Sequence, residues 1–216
     1  MNDLTPEQIS SLGSQALLIT LLITTVLGAI MQKTSFCTLG AVSDGILMED
    51  WSRMRQWCLA IGIAILGVAL MSHLGWIDVS KSFYTGNRVL YLSTVIGSTL
   101  FGIGMVLASG CGSKTLVRIG GGNLKSIVVF IVLGLVAYMT MRGFLGMMKA
   151  NTIDKVSLSL STNQDLPSIL SASFGIAKEN LRSILALIIG GVFIGFALLK
   201  KSFWSSENLL AGIGVG

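Results

Sequence analysis

The sequence predicts an all-α fold: a polytopic membrane protein with about five transmembrane helices and two short re-entrant or broken helices. Its 216 residues are 52% hydrophobic and 12% charged, with a mean hydropathy of +0.80, whereas about a quarter of the residues in a soluble domain are charged. Five apolar runs approach the roughly 20 residues with which a helix crosses a bilayer, and both prolines lie outside them. The runs are Leu12–Met31, Trp57–Trp76, Val89–Ser109, Leu124–Met148 and Leu181–Leu199.

The first run is predicted to be a retained helix whose N-terminus is extracytoplasmic. The residues before it include Asp3 and Glu7 but no Lys or Arg, whereas a secretory signal peptide begins with basic residues. In this orientation the inner loops carry eight basic residues and the short outer loop two, as the positive-inside rule requires. The eight are Lys33, Arg53, Arg55, Lys114, Arg118, Lys125, Lys200 and Lys201, and the two are Lys81 and Arg88.

The elements follow one another as two similar units and an extension, within one membrane domain covering residues 1–216. In each unit an apolar helix leads to a small-residue break, a polar segment and another apolar helix. Short apolar segments that cannot cross a bilayer are typical of broken or re-entrant helices. The predicted boundaries are 12–76 and 89–148 for the units, 149–180 for an extracytoplasmic loop with an interfacial helix near Ile169–Ile176, and 181–200 for a further transmembrane helix. After this helix, Leu209–Gly216 is predicted to be the start of another apolar run.

Identical residues recur in the two units at an offset of 74 positions. Both repeats lead from an apolar helix to a break that holds a thiol. Paired, glycine-broken segments in corresponding halves of a membrane protein indicate a transport site. The identical pairs are Thr25/Thr99, Gly28/Gly102, Met31/Met105, Ser35/Ser109 and Cys37/Cys111.

The breaks therefore supply the candidate site for a small solute, with Cys37 and Cys111 as its leading residues. A single membrane cysteine is usually a small, inert hydrophobe, and this reading is kept for Cys58, which has no mate in the repeat. A cation at membrane depth is a functional candidate unless it extends to the interface, and both interpretations stay open for Lys114 and Arg118. The remaining candidates flank the two thiols: Ser35, Ser109, Gly110, Gly112 and Ser113.

Other classes of site find little support in the sequence. Asp44 is expected to pair with a cation, relay a proton or cap a turn, and Gly191–Gly195 fits a GxxxG helix-packing motif. Three cysteines and one histidine, with no CxxC, cannot assemble a thiolate zinc site. No metal, cofactor or catalytic residue is predicted. The net charge of +5 reflects membrane orientation, so no nucleic-acid partner is expected.

The segments Ser35–Asp44 and Gly102–Ser113 resemble the YeeE/YedE family of sulfur-transport membrane proteins. The likeness covers residues 20–148 most closely, and Gly110–Ser113 is its more specific motif. The resemblance implies uptake of thiosulfate, or of a related sulfur or selenium species, across the prokaryotic cytoplasmic membrane. It also implies that cysteines near the membrane centre pass the anion along by weak hydrogen bonds, a role that falls to Cys37 and Cys111 here.

The resemblance also implies partners, because family members carry two such halves in one polypeptide or as separate subunits. The expected partners are the sulfur anion, the lipid bilayer, a second membrane half or subunit, or a sulfur-accepting cytoplasmic protein. Two other functions stay open. One is a sulfur-handling or selenium-handling protein in which Cys111 carries a persulfide, and the other is a non-transporting subunit of a split transporter.

Overall fold

The computed structural model describes residues 6–79, 87–159, 164–174 and 178–216. These ranges are mostly helical, which confirms the all-α prediction, and two strands of two residues each form one antiparallel pair. The helices are α1 (Pro6–Thr34), α2 (Thr38–Leu47), α3 (Ser52–His73), α4 (Tyr91–Leu107), α5 (Gly112–Gly120), α6 (Leu124–Arg142), α7 (Phe144–Asn151), α8 (Leu166–Phe174), α9 (Lys178–Leu198) and α10 (Ser206–Val215), and the strands are β1 (Arg88–Val89) and β2 (Leu158–Ser159).

Five segments of the described residues are long and apolar enough to cross a membrane, which confirms a multi-pass membrane protein. Two of these segments combine a long helix with a short one: α1 with α2, and α4 with α5. The short helices make little contact with the long helices that precede them, since α2 packs on α3 and α5 packs on α6. They are therefore the second parts of broken spans. The five segments are Ser11–Leu47, Ser52–His73, Tyr91–Gly120, Leu124–Arg142 and Asn180–Leu198.

The long helices α1 and α4 end in the same way, which gives the sequence repeat a structural counterpart. Ser35 and Ser109 adopt left-handed backbone conformations, with φ of +50° and +56°. The N–H of the next residue donates to the carbonyl five positions back, at 3.3 Å in the first break and 3.0 Å in the second. This is the Schellman arrangement, which terminates a helix and satisfies its free carbonyls. The chain can then start a new helix in a new direction.

The tightest packing joins α3 to α9 and α10 through glycines. A Cβ placed on Gly62 would lie 3.0 Å from the Gly190 carbonyl oxygen, and one placed on Gly190 would lie 2.9 Å from Leu66 Cγ. The glycines of the predicted motif at Gly191–Gly195 meet no other described element, because a Cβ placed on either of them would have nothing within 4 Å. The contact face of α9 is one residue earlier, at Gly190, since hydropathy does not reveal which face of an all-apolar helix meets its neighbour.

Most of the molecular surface is apolar and open, as expected of a chain surrounded by lipid. The surface area is 15266 Å², whereas a compact soluble protein of this mass exposes roughly 9,600 Å². The helix α4 has no buried residue, and α6 buries only Ser126. Among the described residues, two small clusters of buried side chains surround α3: Ala60 packs with Phe36 and Ala211, and Leu59 packs with Ala197 and Phe203.

Several element bounds differ from the hydropathy reading. The helix α3 starts at Ser52, five residues before the apolar run Trp57–Trp76, and α6 stops at Arg142 because Gly143 takes an extended conformation. The segment expected to hold an interfacial helix near Ile169–Ile176 contains α8, at Leu166–Phe174. Lys81 and parts of the segment 149–180 lie outside the described residues.

The apolar run at Leu209–Gly216 forms part of α10, a short helix that packs on α1 and α3. Ser205 caps its start by accepting a hydrogen bond from the Asn208 N–H at 3.3 Å. Its glycines allow close contact, since a Cβ on Gly212 would overlap Leu59 and one on Gly214 would lie 2.7 Å from Ile30 Cδ1. The glycine-rich face thus fits α10 into the groove between the two longer helices.

Candidate functional site

The two thiols of the repeat meet at the breaks. Cys37 Sγ lies 3.8 Å from Cys111 Sγ, and only 2% and 6% of the two residues are exposed. Each cysteine is the N-cap residue of a short helix, Cys37 for α2 and Cys111 for α5. Neither is in a disulfide. The sequence repeat therefore places two free, buried thiols in contact.

Hydrogen-bond donors converge on the sulfur of Cys111. Ser113 Oγ lies 3.2 Å from Cys111 Sγ, and Cys37 Sγ lies 3.8 Å from it on the other break. Thr38 is in the first turn of α2 and Lys114 in the first turn of α5. First-turn N–H groups lack helical partners and carry partial positive charge. The thiol pair thus lies where the positive ends of two helices meet.

The remaining predicted residues shape the breaks around the thiols. Ser35 and Ser109 form the left-handed turns, and their side chains are exposed. Gly110 is buried, and a Cβ on it would lie 3.4 Å from Lys114 Cδ, so the lysine chain folds back over the break. Gly112 is the first residue of α5, and a Cβ there would meet nothing within 4 Å.

A small cavity of about 120 Å³ lies between the end of α1 and the first turns of α5. Lys114 and Arg118 bring positive charge to its wall, and Ser35 and Gln32 bring neutral hydrogen-bonding groups. The sequence did not single out Gln32, because a lone glutamine at the end of an apolar helix is a common interfacial residue. Met31, Phe36 and Val117 complete the wall.

Asp44 forms an ion pair, which is one of the roles predicted for it. Its partner is Arg53, which the sequence indicated only as one of the basic residues that orient the chain in the membrane. Arg53 Nη1 lies 3.2 Å from Asp44 Oδ2. The pair joins α2 to the first turn of α3. A second contact between these regions is the stacking of Phe36 on Trp57, with ring centroids 4.7 Å apart. These long-range contacts leave no periodic signal in the sequence.

Thr115 is another residue that the sequence did not reveal. It is buried on α5, one turn after Cys111, and its hydroxyl donates to the Cys111 carbonyl oxygen at 3.2 Å. The bond fixes the first turn of α5 on which the thiol is held. In the described ranges, no three His, Cys, Asp or Glu side chains lie close enough together to hold a metal ion.

The part of the chain that holds both breaks matches a known protein family. The family model described as "Sulphur transport" matches residues 33–177, which is more than half of the chain and includes both breaks. The chain belongs to the sulphur transport family. This membership confirms the resemblance to YeeE/YedE proteins.

Two curated relatives of this sulphur transport chain carry a more specific name. The thiosulfate transporter TsuA of Escherichia coli (strain K12) is 26% identical over 163 residues, which are 76% of this chain and 43% of the relative. The thiosulfate transporter TsuA of Spirochaeta thermophila is 27% identical over 123 residues, which are 57% of this chain and 36% of the relative. The chain thus spans less than half the length of each relative that it matches.

Proposed function

We propose that this chain forms part of a membrane pathway that takes up thiosulfate, or a closely related sulfur anion. The contact between Cys37 Sγ and Cys111 Sγ, at 3.8 Å, is the observation that carries the proposal. Family membership and two relatives named thiosulfate transporters support the class of substrate. The residues of the pathway follow from the site: Cys37, Cys111, Ser35, Ser109, Gly110, Gly112, Ser113 and Lys114.

The mechanism follows from the weakness of the thiol as a hydrogen-bond donor. A conducting site must bind its ion strongly enough for entry and weakly enough for release. Thiols at Cys37 and Cys111 offer weak S–H contacts to a soft anion. The N-terminal ends of α2 and α5 add a positive potential without a fixed charge. The anion is passed from one thiol to the other while neither is covalently changed.

Lys114 and its cavity then act beside the thiol pair and not within it. Its side chain lies over Gly110 and lines the 120 Å³ cavity with Arg118. A cation in direct contact with both thiols would hold a dianion too tightly. At the cavity it concentrates the anion next to the site. Lys114→Gln therefore raises the KM for uptake more than it lowers the maximal rate.

A second membrane half completes the pathway in this proposal. The helix α4 buries none of its residues, and the matched relatives are more than twice as long as the region that aligns. The basic residues at the start of α3, on α5 and just after the C-terminal end of α9 support a cytoplasmic location for these positions and an N-terminus outside. The membrane is then the prokaryotic cytoplasmic membrane. A sulfur-accepting cytoplasmic protein stays a prediction that no particular residue supports.

The proposal is tested by uptake of ³⁵S-thiosulfate into a bacterial host that lacks its own route. The intact protein containing this chain is compared with its Cys37→Ala and Cys111→Ala variants. Each is expected to lower uptake about fivefold or more, since a weak hydrogen bond contributes on the order of 1 kcal/mol. Cys58→Ala is the matched control, because Cys58 lies on α3 in the packing around Leu59.

Unchanged uptake in both variants would refute the thiol pathway. Mass spectrometry of the protein after transport separates the alternative with a persulfide on Cys111. An added sulfur atom on Cys111 in the transporting protein would favour that alternative, whereas unmodified thiols with continuing flux support relay by hydrogen bonds.

A further inference from the structure

The two units differ in where the cation beside each thiol comes from. In the second unit it is Lys114, three residues after Cys111 and in the first turn of α5. The equivalent position in the first unit, three residues after Cys37, is Gly40 in the first turn of α2. In sequence, therefore, the first short helix has no cation to match Lys114.

In the structure another residue fills the space above Gly40. A Cβ placed on Gly40 would lie 2.7 Å from Arg53 Nη1 and 3.8 Å from Arg53 Cδ. The Cys37 Cβ lies 3.6 Å from the same point. The guanidinium of Arg53 and the Cys37 side chain are thus neighbours across a glycine. A larger residue at position 40 would displace the guanidinium.

An ion pair holds Arg53 in this position. Asp44, one turn after Gly40 on α2, places Oδ2 3.2 Å from Arg53 Nη1. A basic residue that only sets membrane orientation extends its side chain towards water and headgroups. Arg53 instead lies along α2. Arg55, two residues later, behaves differently, since its guanidinium lies over the Phe196 ring at 5.2 Å from the centroid.

We infer that Arg53 is the first unit's counterpart of Lys114: an anion-binding residue that draws the substrate to Cys37. This inference rests on the proposed function. Each thiol then has one cation beside the short helix that it caps: Lys114 lies on α5 itself, whereas Arg53 reaches α2 from the first turn of α3. Asp44 offsets part of the Arg53 charge, so the anion is attracted without being trapped. Lys114 and Arg118 lie beside the other thiol, Cys111. The site as a whole therefore carries a net positive charge, which favours a small dianion over a monoanion.

The test measures initial rates of ³⁵S-thiosulfate uptake for the intact protein and for Arg53→Gln, Arg53→Lys and Arg55→Gln, with protein amounts matched. Arg53→Gln is expected to raise the KM about tenfold, since one charge-assisted hydrogen bond is lost. Arg53→Lys keeps the charge and is expected to recover most of the affinity. Arg55→Gln, the matched control, is expected to keep the wild-type KM.

Gly40→Ala adds a test that removes no charge. The added Cβ would meet Nη1 of Arg53, so the variant is expected to raise the KM as Arg53→Gln does, and to add nothing further in an Arg53→Gln background. Inhibition by the competing dianion sulfate is expected to weaken in Arg53→Gln more than inhibition by the monoanion thiocyanate.

Equal effects of Arg53→Gln and Arg55→Gln, or a fall in maximal rate with an unchanged KM, would overturn the role of Arg53. Failure of the proposed function looks different, because Cys37→Ala and Cys111→Ala would then also transport normally or the wild type would transport no thiosulfate.

Discussion

Two serines hold the backbone turns on which the thiol contact depends. Ser35 and Ser109 have φ values of +50° and +56°, and a non-glycine residue in this region costs roughly 1–2 kcal/mol. The same residue at the same break in both units indicates that the turn, and not the hydrophobic pattern, sets where each short helix begins. Glycine would fit the turn with less strain.

Ser109→Gly is therefore expected to keep or raise stability, by up to about 1 kcal/mol, whereas Ser109→Val is expected to destabilise the protein because a β-branched side chain resists positive φ. Thermal unfolding in detergent measures both. Ser98→Gly, within α4, is the control and is expected to lower stability, since glycine is unfavourable in a helix. Higher stability of Ser109→Val than of Ser109→Gly would contradict the left-handed turn.

Cys37 and Cys111 are expected to form a disulfide under mild oxidation. Their sulfurs are 3.8 Å apart and need only approach to about 2.05 Å. Treatment of the membrane-embedded protein with diamide, followed by mass spectrometry of peptides, is expected to show a Cys37–Cys111 cross-link and to stop uptake until dithiothreitol is added. A cross-link that includes Cys58 in place of either residue would show that the breaks do not meet.

At the scale of elements, glycines decide how closely the helices approach. Gly62 and Gly190 let α3 and α9 cross with backbone nearly in contact, whereas a Cβ on Gly191 would meet nothing within 4 Å. The adjacent glycines of α9 thus differ in their packing although their sequence surroundings are similar.

Gly190→Val is expected to destabilise the protein by about 1–3 kcal/mol through overpacking against Leu66, and Gly191→Val is expected to have little effect. Thermal unfolding of the two variants in the same detergent provides the comparison. A larger loss for Gly191→Val would restore the GxxxG face that the sequence suggested.

The stability of the first turn of α3 is expected to depend on pH through Asp50, which lies just outside the membrane-spanning segments. Hydrogen bonds from the Ser52 hydroxyl, at 2.6 Å, and from the Ser52 N–H, at 3.0 Å, lower the pKa of Asp50. A lowered pKa in the folded state means that its contribution to stability is present above the unfolded pKa, near 3.9. That contribution is lost as the pH falls through the folded pKa.

Asp50→Asn is therefore expected to unfold at a temperature closer to that of the wild type at pH 3 than at pH 7. Melting curves across this range measure the difference. The same pH dependence in both proteins would show that Asp50 does not stabilise the start of α3.

At the scale of the whole molecule, hydropathy predicted the five spans because a lipid-facing helix must be apolar along its length. The repeat predicted both breaks and identified the two cysteines. Hydropathy did not predict that α10 packs between α1 and α3, since a short apolar run near a chain end resembles the start of a span. The contact of Arg53 with α2 was also unpredictable, because it depends on how two helices pack around Gly40.

The open surface of α4 leads to the last prediction, that a second membrane half covers it. Phe101 is 60% exposed on α4, and Leu187 is 69% exposed on α9. Apolarity alone cannot distinguish a face for lipid from a face for protein. The lack of buried residues on α4, next to a thiol site, and the greater length of the relatives favour protein there.

A photoreactive amino acid at Phe101 in the intact protein is expected to cross-link to a segment or subunit outside residues 1–216. The same group at Leu187 is expected to label lipid only. Cross-linking to lipid alone at both positions would show that the thiol site works without a second half on this face.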